Sequence, residues 1–131
     1  MKGSRSRETR GSAAVEFALV LPLLLTLALA LLQIGLLAKD QMVVQEAGRA
    51  GAREASVSTD DASVRQAVGE AAAGLNPGSL ATTIRRGSGR GTPVTVAVEY
   101  EAPISLPIVG WLLPRAVRLS TETTMRQEMA P

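Results

Sequence analysis

The sequence predicts an α+β protein: a long N-terminal transmembrane helix that extends outside the membrane, a second short helix and a small three-stranded antiparallel sheet. Three observations point there. From Phe17 to Ala38 the chain carries no charge, a run of about 22 residues where roughly 20 suffice to cross a bilayer as a helix. The spacing of apolar residues then changes from a helical period before Asn76 to strict alternation after Leu80. Asn76-Pro77-Gly78 stands between the two regimes as a stop signal.

Composition narrows the function. Fourteen Lys and Arg against 12 Asp and Glu give +2 over 131 residues. Lys2, Arg5, Arg7 and Arg10 against Glu8 place +3 ahead of the apolar run, so the remainder is −1. The basic pI is therefore the property of a short tail, and it makes no case for nucleic acid. The same excess orients the span, with residues 1–10 in the cytoplasm and the rest outside. With no His and no Cys, the usual general base, the commonest zinc ligand, thiol chemistry and disulfides are all missing. Serines and carboxylates remain, but no catalytic set and no metal-ligand spacing. The reading is a protein that is not an enzyme, with no cofactor, no metal and no small-molecule substrate.

Taken in order, residues 1–11 are a basic leader and 12–38 the transmembrane helix. Only Thr26 and Gln33 bring polar side chains to the run, and Pro22 deprives the Ala18 carbonyl of its partner, which a membrane helix tolerates. A secretory signal cut after Ala30 is the competing reading, but such signals have apolar cores of about 7–15 residues and this run continues beyond that. Residues 39–57 extend the helix, with Val43, Ala47, Ala50 and Val57 as a thin apolar stripe. Ala47, Gly51 and Ala55 form a row of small residues at four-residue steps, and Gly48, Ala52 and Ser56 form a second. Such rows admit another helix or a sheet closely. Each glycine costs about 1 kcal/mol relative to Ala in a helix, which close packing offsets. A helix from Ser12 to Ser56 would be about 65–70 Å long.

Residues 58–131 form a small extracytoplasmic α+β domain. Ser58 or Thr59 is expected to cap the second helix, with Asp60 and Asp61 in its first turn and Val64, Val68, Ala71, Ala72 and Leu75 on its apolar face. Three strands follow, on which Leu80, Thr82 and Ile84, then Val94, Val96, Val98 and Tyr100, then Val117, Leu119, Thr121, Thr123 and Met125 share a face. RRGSGRG joins the first two as a solvated hairpin loop, a reading preferred over anion binding by Arg86 and Arg90. The last two are joined by an apolar segment in which Ile108, Val109, Trp111 and Leu112 either fold under the sheet or contact a partner or the membrane.

The junction RGSAAVEF, residues 10–17, is the stretch hardest to explain as scaffold. Small residues follow a basic tail, and Glu16 sits at the edge of the apolar run, where a carboxylate moved deeper costs several kcal/mol unless paired. Basic leader, Gly, then Glu five positions on and a long apolar helix resemble the type IV prepilins and pseudopilins. RGSAAVEFALVLPLLL, QEAGRAGAREAS and the terminal TTMRQE together resemble the TadE-like family of tight-adherence, Flp-type pilus systems, with TadF-like proteins as close relatives. The resemblance implies that a prepilin peptidase cuts between Gly11 and Ser12. It also implies that Glu16, followed by Phe17 where the short main pilins usually carry Tyr, registers the subunit during assembly. It further implies a minor pilin or pseudopilin whose partners are other pilins, the pilus assembly machinery and the membrane. Glu16, counted as five positions from the cut, is expected to be out of register for pairing with the new amine inside one helix. A generic single-pass envelope protein with an outward-facing binding domain is the alternative.

Overall fold

The computed structural model describes residues 5–104 and 114–128, with side chains from Gly11 onward. Ile108, Val109, Trp111 and Leu112, read above as folding under the sheet or contacting a partner or the membrane, lie outside the described residues. One helix, α1, runs from Arg5 to Val57, 53 residues, and passes through Pro22. Helix α2 spans Asp61–Ala71, a single 3-10 turn Pro77–Ser79, and strands β1, β2 and β3 span Leu80–Arg86, Pro93–Pro103 and Ala116–Arg126. The strands form an antiparallel meander in the order β1-β2-β3, with Leu80 opposite Tyr100 and Pro103 opposite Ala116. The α+β architecture is thus as the sequence predicts.

The sheet lies along the second half of α1. Val94, Val96, Val98, Tyr100 and Ala102 of β2 are buried, while the facing residues of β1 and β3 are half-buried. β2 is therefore the centre of the core and its neighbours the flanks. β3 runs in the same sense as α1 and β2 in the opposite one. Gln41 Nε2 donates to Ser120 O at 3.2 Å, and near the far end Glu128 N donates to Ser56 O at 2.8 Å.

The buried side of α1 is Val44, Ala47, Gly48, Gly51, Ala52, Ala55 and Ser56. This corrects the apolar stripe read from the sequence: Val43 and Ala50 are only half-buried and Val57 is 45 % exposed, whereas Val44 is fully buried. Ala47 of that stripe is fully buried, and the face turned to the sheet is centred to one side of the stripe, through Val44, Gly48, Gly51 and Ala55. These residues share a core with Val64 and Val68 of α2 and with β2. The core thus continues across residues 57 and 58, where the sequence reading divides helix extension from outer domain.

The cap of α2 also needs correcting. Asp60, not Ser58 or Thr59, is the N-cap, accepting from Ala62 N at 3.0 Å and Ser63 N at 3.2 Å. A carboxylate can accept from two orphan N–H groups at once, which one hydroxyl does less well. Ser58 Oγ instead accepts from Asp60 N and pairs with Ser63 Oγ, bracing the bend between the helices. The β1–β2 hairpin turns on Gly89 and Gly91, at φ +105° and +82°, conformations that L side chains rarely adopt.

Candidate functional site

The candidate site is α1 itself, which has two unlike halves. In the first, Gly11–Val20 are all exposed, and large apolar side chains from Val15 to Leu36 stand clear of the rest of the protein. A window of mean hydropathy 2.5 within this helix has none of its residues buried. It is one helix, among the described residues, long and apolar enough to cross a membrane, and the form fits a membrane anchor. Thr26 Oγ1 donates to Pro22 O at 2.8 Å, satisfying its hydroxyl within the helix.

At the start of this half lies the junction. Gly11 and Ser12 are helical and exposed, and a Cβ added at Gly11 would meet nothing within 4 Å. Ser12 Oγ donates to Glu16 Oε1 at 3.1 Å. Ser12, which would carry the new amine, is four residues from Glu16 and not five, the spacing at which side chains share a helix face, and in the uncut chain its hydroxyl gives the carboxylate a partner within its own subunit. Phe17 is 61 % exposed and lies on the lipid-length run.

The second half is built for close approach. A Cβ on Gly51 would lie 2.5 Å from Val68 Cγ2 and 3.1 Å from Val96 Cγ1, and one on Gly48 would lie 2.5 Å from Thr121 Cγ2. Both glycines are therefore in contact with the domain's own elements, Gly51 with α2 and β2 and Gly48 with β3. Ala47, Ala52 and Ala55 are fully buried beside them. The structure brings Ala47, Gly48, Gly51, Ala52 and Ala55 into one face, covered by this chain's own sheet and second helix.

Two contacts are not foreseen in the sequence. Arg86, considered above for an anion, is spent on the fold: its guanidinium donates to Ala55 O at 3.0 Å, Ser58 O at 2.9 Å and Asp61 Oδ1 at 3.0 and 3.2 Å. α1 has no basic residue in its last turn, and Arg86 brings a cation from β1 to that end, where the helix dipole favours one. No local pattern signals this, since the partners are 25 to 31 residues away. Gln33 Nε2 donates to Pro103 O at 3.3 Å. Here a signal did exist: an amide inside an otherwise apolar run needs a partner.

Compared with known proteins, residues 11–53 match the family model described as TadE-like protein. The match begins at the predicted processing glycine, takes in Glu16 and the whole apolar run, and ends inside the small-residue half of α1. The TadE-like resemblance read from the sequence is thereby shown over that segment. The TadE-like family is associated with tight-adherence pilus assembly. No curated protein and no solved structure matches the chain.

Proposed function

We propose that this chain, TadE-like over residues 11–53, is a membrane-anchored minor pilin or pseudopilin that assists assembly of a Flp-type, tight-adherence pilus. It does no chemistry of its own: it is the substrate of a prepilin peptidase and then a packing partner of other pilins or pseudopilins and of the assembly machinery. Residues 1–11 are the cytoplasmic leader, the apolar half of α1 anchors the protein, and the α+β domain lies outside the membrane. The observation that carries this reading is the family match, because it starts at Gly11 and binds the junction, the carboxylate and the span into one pattern.

Cleavage occurs at the Gly11–Ser12 bond. Both residues are helical here, so the first turns of α1 must open for a protease to reach an extended backbone. Gly11 lowers that cost, since glycine is about 1 kcal/mol less favourable than Ala in a helix. After the cut, the new amine joins the Ser12 side chain beside Glu16. In the free subunit Glu16 is served locally by Ser12, and between axially displaced subunits the amine of one meets the carboxylate of the next. Such pairing offsets part of the cost of holding both charges in a low-dielectric bundle.

Intact-mass and N-terminal analysis of the membrane-bound protein tests this. The expected mature chain begins at Ser12, and Gly11→Leu blocks the cut. A chain starting at Met1 supports a generic single-pass envelope protein instead, and one starting at Leu31 a secreted domain. Glu16→Val is expected to leave insertion and cleavage intact while reducing co-purification with pilus partners and the count of surface pili. Normal values of both would reduce Glu16 to a boundary marker.

A further inference from the structure

The sheet does not wait for the end of the apolar run before it meets α1. Gln33 binds Pro103 O at the end of β2, and Leu37 packs against the core, so the domain already covers one side of the helix there. At the same level the other sides are bare and apolar, with Leu31 62 %, Leu32 60 %, Ile34 63 % and Leu36 47 % exposed. Between Glu16 and Gln33 the helix rises about 25 Å at 1.5 Å per residue. A hydrocarbon core is about 30 Å thick, and any tilt shortens the vertical rise further. With Glu16 held at one boundary, the opposite boundary falls beyond Gln33, near Leu36. The end of the sheet and the bare side of the helix therefore stand at the depth where lipid begins.

We propose that the end of the sheet formed by Pro103, Ile104, Pro114, Arg115 and Ala116 rests in the phospholipid headgroup layer of the membrane that holds α1. The domain is then seated on the bilayer, not held above it on a stalk. The chemistry of this end suits a layer poor in water. Pro103 and Pro114 have no N–H to satisfy, and Ile104 N donates to Arg115 O at 2.9 Å. Arg115 is exposed there, as a cation among lipid phosphates would be. One step up the sheet the side chains turn polar and ionic, with Arg118 3.9 Å from Glu101. Lipid on the bare side of residues 34–36 continues the lipid that surrounds the span.

This rests on reading α1 as a membrane anchor, and the test separates the two. The chain has no cysteine, so single-cysteine variants of the full protein can carry an environment-sensitive fluorophore in vesicles of phosphatidylcholine and phosphatidylglycerol. Leu24→Cys reports the middle of the span, Ala116→Cys the sheet end and Ser88→Cys the distal hairpin. Spin-labelled lipids quench the fluorophore, with the label placed either at the headgroup or deep in the acyl chain. The expected result is deep quenching at residue 24, headgroup quenching several-fold stronger at 116 than at 88, and little at 88. Equal quenching at 116 and 88, with 24 still quenched, overturns the proposal and leaves the anchor standing. No quenching at 24 rejects the anchor reading and the proposal with it. Ile34→Cys protected from lipid quenchers and oxidising to a linked dimer would show a second copy on the bare face, and would also overturn it.

Discussion

The two halves of α1 share one backbone and obey opposite rules. From Val15 to Leu36 nearly all the large apolar side chains are exposed, and from Ala47 to Ser56 the residues that are buried are all small. In a water-soluble protein the ranking would be reversed, because large apolar groups gain most from burial. The difference teaches that each half answers to its own surroundings. A bilayer, being as apolar as leucine, would leave the first half in no need of protein around it. The second half is stabilised by the closeness with which a sheet and a helix can approach it.

Glycine substitutions give the sharpest way to break this comparison. Gly51→Leu puts a branched side chain where even a Cβ meets Val68 and Val96, and is expected to destabilise the α+β domain by about 3 kcal/mol. Thermal unfolding and limited proteolysis of the detergent-solubilised chain would read this directly. Gly35→Leu, with open space around its Cβ position, should leave the melting temperature unchanged. If the two variants melt alike, the halves are not the different environments described here.

A smaller effect is expected at the join between them and their cover. Arg86→Met removes the ligand of the Ala55 and Ser58 carbonyls and the partner of Asp61. The expected loss is about 1–3 kcal/mol, seen as a lower midpoint in urea. Arg85→Met, whose partner Glu122 is equally exposed, should shift that midpoint little, because exposed pairs contribute about 0–1 kcal/mol. The smallest change expected is a gain. The side chain of Gln127 is buried and its amide has no hydrogen-bond partner among the described residues. Gln127→Leu should raise stability by about 1 kcal/mol, because the cost of an unmade hydrogen bond is removed. A lower melting temperature in this variant would mean that the amide is in fact satisfied.

How much of this was legible in the sequence depends on the distance over which each feature is decided. The long apolar helix, the three strands and the inner face of β2 follow from local period, the last from the alternation of Val94, Val96 and Val98. The small-residue rows at 47–56 were visible as rows, but what covers them depends on pairings some 70 residues away. Asp60 was misread because three cap-competent residues stand in succession, and only the backbone decides which leaves the helical conformation. The clamp made by Arg86 left no trace, since an arginine before a glycine-rich turn is ordinary until its partners are known. At the junction, the local contact of Ser12 with Glu16 was available from the spacing of four and was missed by counting from the wrong side of the cut.

The order in which the chain emerges gives the small-residue half of α1 a further meaning. Gln41 is bonded to Ser120, 79 residues later, and Gly48 is covered by Thr121 and Thr123. The helix is therefore made long before the strand that shields it, and until that strand is made it stands uncovered. A stripe of leucines there would be drawn into the bilayer as a continuation of the span, or would capture other nascent chains. Alanine, glycine and serine present a face too weakly apolar for either fate. The same residues that admit the sheet closely thus keep its place vacant until the sheet arrives.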